Sequence, residues 1–267
     1  TISYKGERFE LGGSFLASRQ FANKSKIPGN SLYNSIAGKY RLNNGLVYGE
    51  LAYDHQNQSA SYILGILTQL SGGLNFSSVY RNYKSDFDSP LSNAFASTSS
   101  KNEVGIISGL ELVINPSIKI AAYADFYERP AGSNSIAYST QHKDALIQIT
   151  ALKKRKWESY FRFRQRINPV TLVLTDEEKL ELISDESKQS FRLNNVFNPT
   201  KEWRFTNRIE YSFYDNGSGF LMYADLQWRP IEKPWGIDVR YALFDTDGFA
   251  NRIYAYEASM PYSWSIP

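Results

Sequence analysis

The chain has 267 residues, a formal net charge of +3, no cysteine, 15% aromatic residues and 21% charged residues. Without cysteine there is neither a disulfide framework nor a thiolate metal site, and so small a charge excess gives no electrostatic case for a nucleic-acid partner. A mean hydropathy of −0.43 and the lack of any apolar run of about 18 residues argue against a transmembrane helix, but a β-barrel whose apolar residues are diluted by a polar lumen fits both values.

The first residues, TISYKGERFE, lack the charged and apolar regions of a signal peptide. A chain that opens on the strand-like ISYK and stops at YSWSIP reads as a processed or partial piece, and an absent leader is weak evidence against secretion. From residue 9 onward, side chains alternate with a period of two, the signature of strands with one apolar face. Phe9, Leu11, Gly13, Phe15 and Ala17 oppose Glu10, Gly12, Ser14 and Ser18. Residues 61–70, SYILGILTQL, are apolar on both parities. Val104, Ile106, Leu110, Leu112 and Ile114 oppose Glu103, Gly105, Gly109 and Glu111. Ile118, Ile120, Ala122, Ala124 and Phe126 oppose Lys119, Tyr123, Asp125 and Tyr127. In SYFRFRQR, residues 159–166, Phe161 and Phe163 back a row formed by Arg162, Arg164 and Arg166. Trp203, Phe205, Ile209, Tyr211 and Phe213 then oppose Arg204, Thr206, Arg208 and Glu210. The pattern closes with Phe220, Met222, Ala224, Leu226 and Trp228, and with Ile237, Val239, Tyr241 and Leu243 set against Asp238 and Arg240.

These segments predict strands near 9–19, 32–42, 46–54, 61–70, 74–84, 104–114, 118–127, 145–152, 157–165, 189–197, 203–213, 220–228, 237–245 and 253–262. That makes about fourteen strands of roughly 8–11 residues, the length a tilted strand needs to cross a bilayer. Long or variable connections (20–31, 55–60, 85–103, 128–144, 166–188, 214–219, 246–252) alternate with short turns such as NNG, SGG, NPS, KKRK and NPTKE. Outer-membrane barrels sort their loops in this way, short at the periplasmic end and long outside, whereas a sandwich has no reason to. No repeat or linker divides residues 1–267, so a single barrel domain, incomplete at one or both ends, is expected.

Trp157, Trp203, Trp228 and Trp235 fall beside the short turns on apolar parities, as an interfacial girdle requires. Trp264 could join them. Arg162, Arg164, Arg166, Arg192, Arg204, Arg208 and Arg240 fall on inward parities, with Asp125, Glu158, Glu210 and Asp238 as partners. Two readings stand side by side: a lumen that attracts anions, and an interior ladder of ion pairs that braces the barrel. His55 and His142 are placed in loops without the spacing of a metal or catalytic site. TDEEKLELI, residues 175–183, carries a capping-box pattern in Thr175 and Glu178 and is expected to be a short helix in the longest connection. DTDGFANR, residues 245–252, lacks the spacing of a calcium loop and reads as a turn. No phosphate loop, dinucleotide fingerprint or nucleophile elbow is found. The expectation is therefore a non-enzyme without cofactor or metal.

NRIEYSFYDNGSGFLMYADLQWRP followed by DVRYALFDTDGFANRIYAYEASMPYSWSIP resembles the C-terminal region of a Bacteroidetes/Chlorobi group of proteins. These carry an N-terminal helix-hairpin-helix region ahead of a long β-rich segment. The resemblance is sharp over about 205–267 and looser at SSVYRNYKSDFDSPLSNAFAS, residues 77–97. It implies an envelope barrel whose chain runs on past SIP into another aromatic strand, so the barrel would have more strands than the pattern counts. It supplies no catalytic residues, and without the helix-hairpin-helix part DNA binding does not carry over.

The combined expectation is an all-β antiparallel transmembrane β-barrel of about fourteen or more strands in a bacterial outer membrane. Its partners would be the lipid bilayer and other outer-membrane or periplasmic proteins, with no nucleic acid bound by this segment. A structural or accessory subunit, or an anchor in a larger outer-membrane assembly, leads. A porin-like diffusion pore with an anion-leaning lumen is one alternative, and a soluble carbohydrate-binding or hydrolytic β-protein is the other.

Overall fold

The alternation becomes hydrogen-bonded strands in the computed structural model, which describes residues 1–20, 29–87, 95, 101–132, 136, 138–173, 181–214 and 217–255. In chain order these are β1 (Ile2–Lys5), β2 (Phe9–Gln20), β3 (Gly29–Leu42), β4 (Gly45–Asp54), β5 (Ser59–Ser71), β6 (Leu74–Tyr83) and β7 (Glu103–Asn115). They continue with β8 (Ile118–Arg129), β9 (Thr140–Lys153), β10 (Trp157–Val173), β11 (Glu181–Phe197), β12 (Trp203–Tyr214), β13 (Gly217–Trp228) and β14 (Ile237–Thr246). All belong to one sheet in which each strand pairs with its neighbour in sequence. The chain is thus an all-β antiparallel meander, and among the described residues its helical content is one 3₁₀ turn, Phe249–Asn251.

Thirteen of the expected strands are present, each as long as expected or longer to within a residue. The total of fourteen agrees by number, not by identity. Ile2–Lys5 pairs with β2 as a strand, while 253–255 of the expected 253–262 strand are irregular and the rest lies outside the described residues. Three strands run well past the alternation: β9 begins at Thr140, β10 reaches Val173 and β11 starts at Glu181. The backbone ladder needs no apolar face, so pairing persists through the polar starts of β9 (TQHKD) and β11 (SDESK), while in β10 Asn168 and Pro169 interrupt the alternation without ending the strand. The expected helix at 175–183 is accordingly strand over 181–183, and its first part lies outside the described residues.

The turns follow local chemistry. Asn43 and Asn44 close a two-residue hairpin. Gly73 turns at φ 92°, a conformation side chains resist. The Asn115 side-chain oxygen accepts the Ser117 N–H at 2.8 Å across the NPS turn, an Asx turn. The alternation of long and short connections holds as far as β12 and then reverses: β12 and β13 are joined by residues 215–216, β13 and β14 by 229–236.

The contacts divide into two compact units whose bounds fall within β7 to β11. The first comprises Thr1–Leu110, Tyr123–Lys143 and Pro169–Ser184; the second comprises Glu111–Ala122, Asp144–Asn168 and Asp185–Pro267. In the first, register lines up Phe9, Tyr40, Val47 and Ile66 across β2 to β5, and four residues along Gly13, Ile36, Leu51 and Tyr62. In the second, Phe197, Phe205, Leu226 and Val239 form one row and Leu193, Ile209, Met222 and Leu243 another. Each unit therefore has an apolar face and a polar face.

Burial is inverted relative to a water-soluble fold. Phe15 is 64% exposed, Ile36 60% and Leu64 54% in the first unit, where Arg81 and Asp54 are fully buried. In the second unit Val239 is 55% exposed, while Arg208 and Glu210 are buried. Charged groups are almost never fully buried unless paired, so what pairs them defines the polar face.

Candidate functional site

On the first unit's polar face, Arg81 of β6 is held by carboxylates from the next two strands. Its Nε donates to Glu103 Oε1 at 2.5 Å, and its two terminal nitrogens donate to Asp125 Oδ1 and Oδ2 at 2.9 and 3.0 Å. The paired fork geometry is the strong form of this interaction. The guanidinium also lies 5.4 Å from the centre of the Tyr127 ring, which stacks on His142 at 4.6 Å. Nearby, the buried Tyr83 donates its hydroxyl to the Phe95 carbonyl at 3.1 Å, so part of the 84–102 connection reaches the polar face.

Asp125 was legible as a polar-face charge, but Arg81 and Glu103 were not legible as its partners. Partner identity depends on strand register, which alternation alone does not fix. His142 is a correction: it lies within β9, buried, with Nε2 3.0 Å from the Thr140 hydroxyl. His55 does lie in a turn, and its Nε2 sits 3.0 Å from Asn34 Nδ2.

The second unit's polar face carries the arginine row. Arg162 donates twice to Gln148 Oε1, at 2.8 and 2.7 Å. Arg164 pairs with Asp144, its Nε at 2.9 Å from Oδ1 and its Nη2 on Oδ2. Arg192, opposite Glu210 in register, makes a fork at 2.8 and 2.9 Å, and Arg208 reaches the same carboxylate from two residues away. Arg240 forks onto Asp225, its cross-strand partner, at 2.6 and 2.7 Å. Asp238 accepts from Arg229 at 2.5 Å, in the 229–236 turn region. Glu158 and Arg204 share the polar parity but are exposed, with no ion pair among the described residues.

Arg162, Arg164, Arg166, Arg192 and Arg208 meet Lys188 and Arg252 around a cavity of about 220 Å³. The segment after β14 folds back to reach it. Lys188 Nζ donates to the Ala250 carbonyl at 2.6 Å, and the Ser212 hydroxyl donates to the Asn251 carbonyl at 3.2 Å. Among the described residues no group of three or more histidines and carboxylates is placed to hold a metal ion.

On the apolar face, Trp203 and Trp228 stand opposite each other in register and stack at 5.6 Å, and Trp235 meets Trp228 edge-on at 5.2 Å. Trp157 begins β10, next to the 154–156 turn. Trp235 lies within the 229–236 turn rather than on a strand parity. A polar rung crosses this face: the Ser159 hydroxyl donates to Asn195 Oδ1 at 2.5 Å, and Asn195 Nδ2 donates to Asn207 Oδ1 at 2.8 Å. Three polar side chains on an apolar surface thereby satisfy one another.

DTDGFANR is a turn with a specific anchor. Asp247 Oδ2 accepts the Ser218 N–H at 2.7 Å and the Ser218 hydroxyl at 2.9 Å. The backbone bond first, then the hydroxyl, hold the Asp247 carboxyl below its ordinary range. A depressed carboxyl pKa adds stability that is present above the unfolded-state value and is lost as pH falls through the folded-state value. The Ser218 amide should therefore lose protection, measured against its intrinsic exchange rate at each pH, as pH drops below the usual carboxylate range, and Asp247→Asn should flatten that dependence. Amide hydrogen exchange measures both. A pH dependence unchanged in Asp247→Asn would show that the carboxylate does not anchor this turn.

No family model matches the chain, and no curated protein matches it. Among solved structures it is similar to OmpT, an outer membrane protein of Vibrio cholerae, with TM-score 0.44 and 9% identity over 91% of this chain and 88% of that one. It is also similar to a BenF-like porin from Pseudomonas fluorescens, with TM-score 0.35 and 11% identity over 91% and 94% of the two chains. TM-scores this low decide neither shape nor activity; the chain's own two faces carry its functional reading.

Proposed function

We propose that this chain is a β-barrel of the bacterial outer membrane acting as a structural or accessory subunit, an anchor within a larger outer-membrane assembly. The observation that carries the reading is the inverted burial: Phe15, Ile36, Leu64 and Val239 stand exposed on one parity while Arg81, Glu103, Arg208 and Glu210 are buried on the other. Lipid is the solvent in which that arrangement is favourable, and closure into a barrel is how strands satisfy their backbone groups there. The apolar parity is then the lipid face, the polar parity the lumen, and the tryptophans beside the 154–156, 198–202 and 229–236 connections the interfacial belt. Residues 205–267, with their resemblance to an envelope-protein group of Bacteroidetes and Chlorobi, fit the same location.

Bracing favours an accessory barrel over an open pore. Arg81, Arg164, Arg192 and Arg240 are each committed to a carboxylate, and opposed pairs on neighbouring strands stabilise each other by about 0.2–1 kcal/mol. The protein, refolded in detergent, is expected to insert into liposomes and to carry no steady current in planar bilayers. Steady anion-selective current would replace the accessory reading with the porin-like one, which the cationic cavity around Arg166 favours. Solubility without detergent would sink both and leave the soluble β-protein.

A further inference from the structure

The arginine row is not uniformly braced, and the difference is local. Around the cavity in the second unit, seven cationic side chains face the carboxylate of Glu210, with Asp144 behind Arg164. Glu210 is shared between Arg192 and Arg208, so these two carboxylates leave a surplus of five positive charges. Arg162 is met by a neutral amide, Gln148. Lys188 is met by a backbone carbonyl, that of Ala250. Arg252 rests 4.4 Å from the centre of the Phe249 ring, and Arg166 has no hydrogen-bond partner among the described residues. Arg208 is 8% exposed, and its Nε is buried without an acceptor.

Ladder bracing does not call for this. A bracing network ends with each guanidinium on a carboxylate, as Arg240 does on Asp225. Here donors converge on a half-open space, and Arg162, Arg166, Lys188 and Arg252 have no carboxylate partner among the described residues. From this geometry we infer that the cavity lined by Arg162, Arg166, Lys188, Arg208 and Arg252 binds a small multivalent oxyanion of the phosphate-ester or pyrophosphate class.

Three features select that chemistry. Guanidinium groups bind phosphate and carboxylate oxygens through paired donors, so arginine in preference to lysine favours an oxyanion over a spherical halide. Arg162 and Arg166 lie four positions apart on one strand, about 13 Å along it, so the ligand must offer charge at more than one point. At about 220 Å³ the cavity lies below the range of pockets for drug-sized ligands, which points to a compact polyanion. Such a solute would reach the site from the lumen, so the proposal deepens the barrel reading by naming what its polar face holds.

The test uses the full chain refolded in a phosphate-free detergent, titrated calorimetrically with pyrophosphate against a chloride background. Saturable binding that chloride does not displace is expected. Arg166→Gln and Arg252→Gln should each weaken it by about tenfold, the loss of one charge-assisted hydrogen bond. Arg229→Gln, which removes a cation at the 229–236 turn, should leave it unchanged. Arg252 follows the last described strand, so its variant keeps the measurement meaningful if Arg166→Gln folds poorly. No heat on titration, or equal affinity in wild type and both cavity variants, overturns the site. Liposome insertion is scored in parallel: a protein that inserts and binds nothing loses the site and keeps the barrel. One that binds and fails to insert loses the barrel and keeps the site.

Discussion

Replacing Arg81 with methionine should destabilise the folded protein by about 3–5 kcal/mol, the penalty for breaking a buried ion pair from one side. The Arg81 and Glu103 side chains are each 1% exposed, and that of Asp125 is 13% exposed. Removing the guanidinium leaves two carboxylates facing each other in a space from which water is largely excluded. Converting Glu103 to Gln in the Arg81→Met background should recover part of the loss, because the remaining buried group is then neutral. Arg192→Met is the internal control. Its partner Glu210 keeps Arg208, and the Arg192 side chain is 25% exposed, so the cost should be smaller. Urea unfolding in micelles gives all three values. Equal losses for Arg81→Met and Arg192→Met would show that burial does not set the energetics of this face.

How legible the molecule is in its sequence depends on which physical signal each feature carries. Strands with an apolar face are written twice, once by alternation and once by turn residues, so β2 to β8 and β12 to β14 are placed within about three residues of their expected bounds. Alternation stops where one face no longer meets an apolar medium, and there the reading fails. The end of β10, RINPVTLV, reads as connection because Asn168-Pro169 is a turn signal, whereas the start of β11, through the polar run SDESK, does so for want of that alternation. His142 was lost for the same reason, because it opens β9 among Thr140, Gln141 and Lys143, a run without apolar contrast. The polar face was legible as a set and not as pairs. Arg240 with Asp225 and Arg192 with Glu210 are cross-strand neighbours, but a slip of one residue in register would have paired neither. The cavity was less legible still. It needs a segment following β14 to return to β11 and β12, which Lys188 and Ser212 secure through backbone carbonyls that carry no side-chain signature.

Phe161→Arg should abolish assembly into membranes while Arg164→Phe is tolerated, a contrast that separates lipid from water at the apolar face. Phe161 lies four residues into β10 from Trp157, about 13 Å along the strand. That places it well inside an apolar band about 25 Å tall, where an introduced arginine costs roughly 2–4 kcal/mol at the midplane. Its ring also packs 6.5 Å from that of Phe191, a contact that the substitution removes. Arg164 sits on the other parity, and its ion pair with Asp144 is partly solvated, the two side chains being 36% and 17% exposed. Pairs of that exposure contribute up to about 1 kcal/mol, so its replacement should leave assembly into membranes intact, read as a folded form whose gel mobility shifts on heating. A soluble β-protein predicts the reverse order. There Phe161, 44% exposed, would be a surface residue that arginine suits better than phenylalanine, and a new phenylalanine among buried charges would be the damaging change. Gel mobility before and after heating, on protein recovered from membranes, separates the two. Equal tolerance of both variants would undo the assignment of faces on which the membrane reading depends.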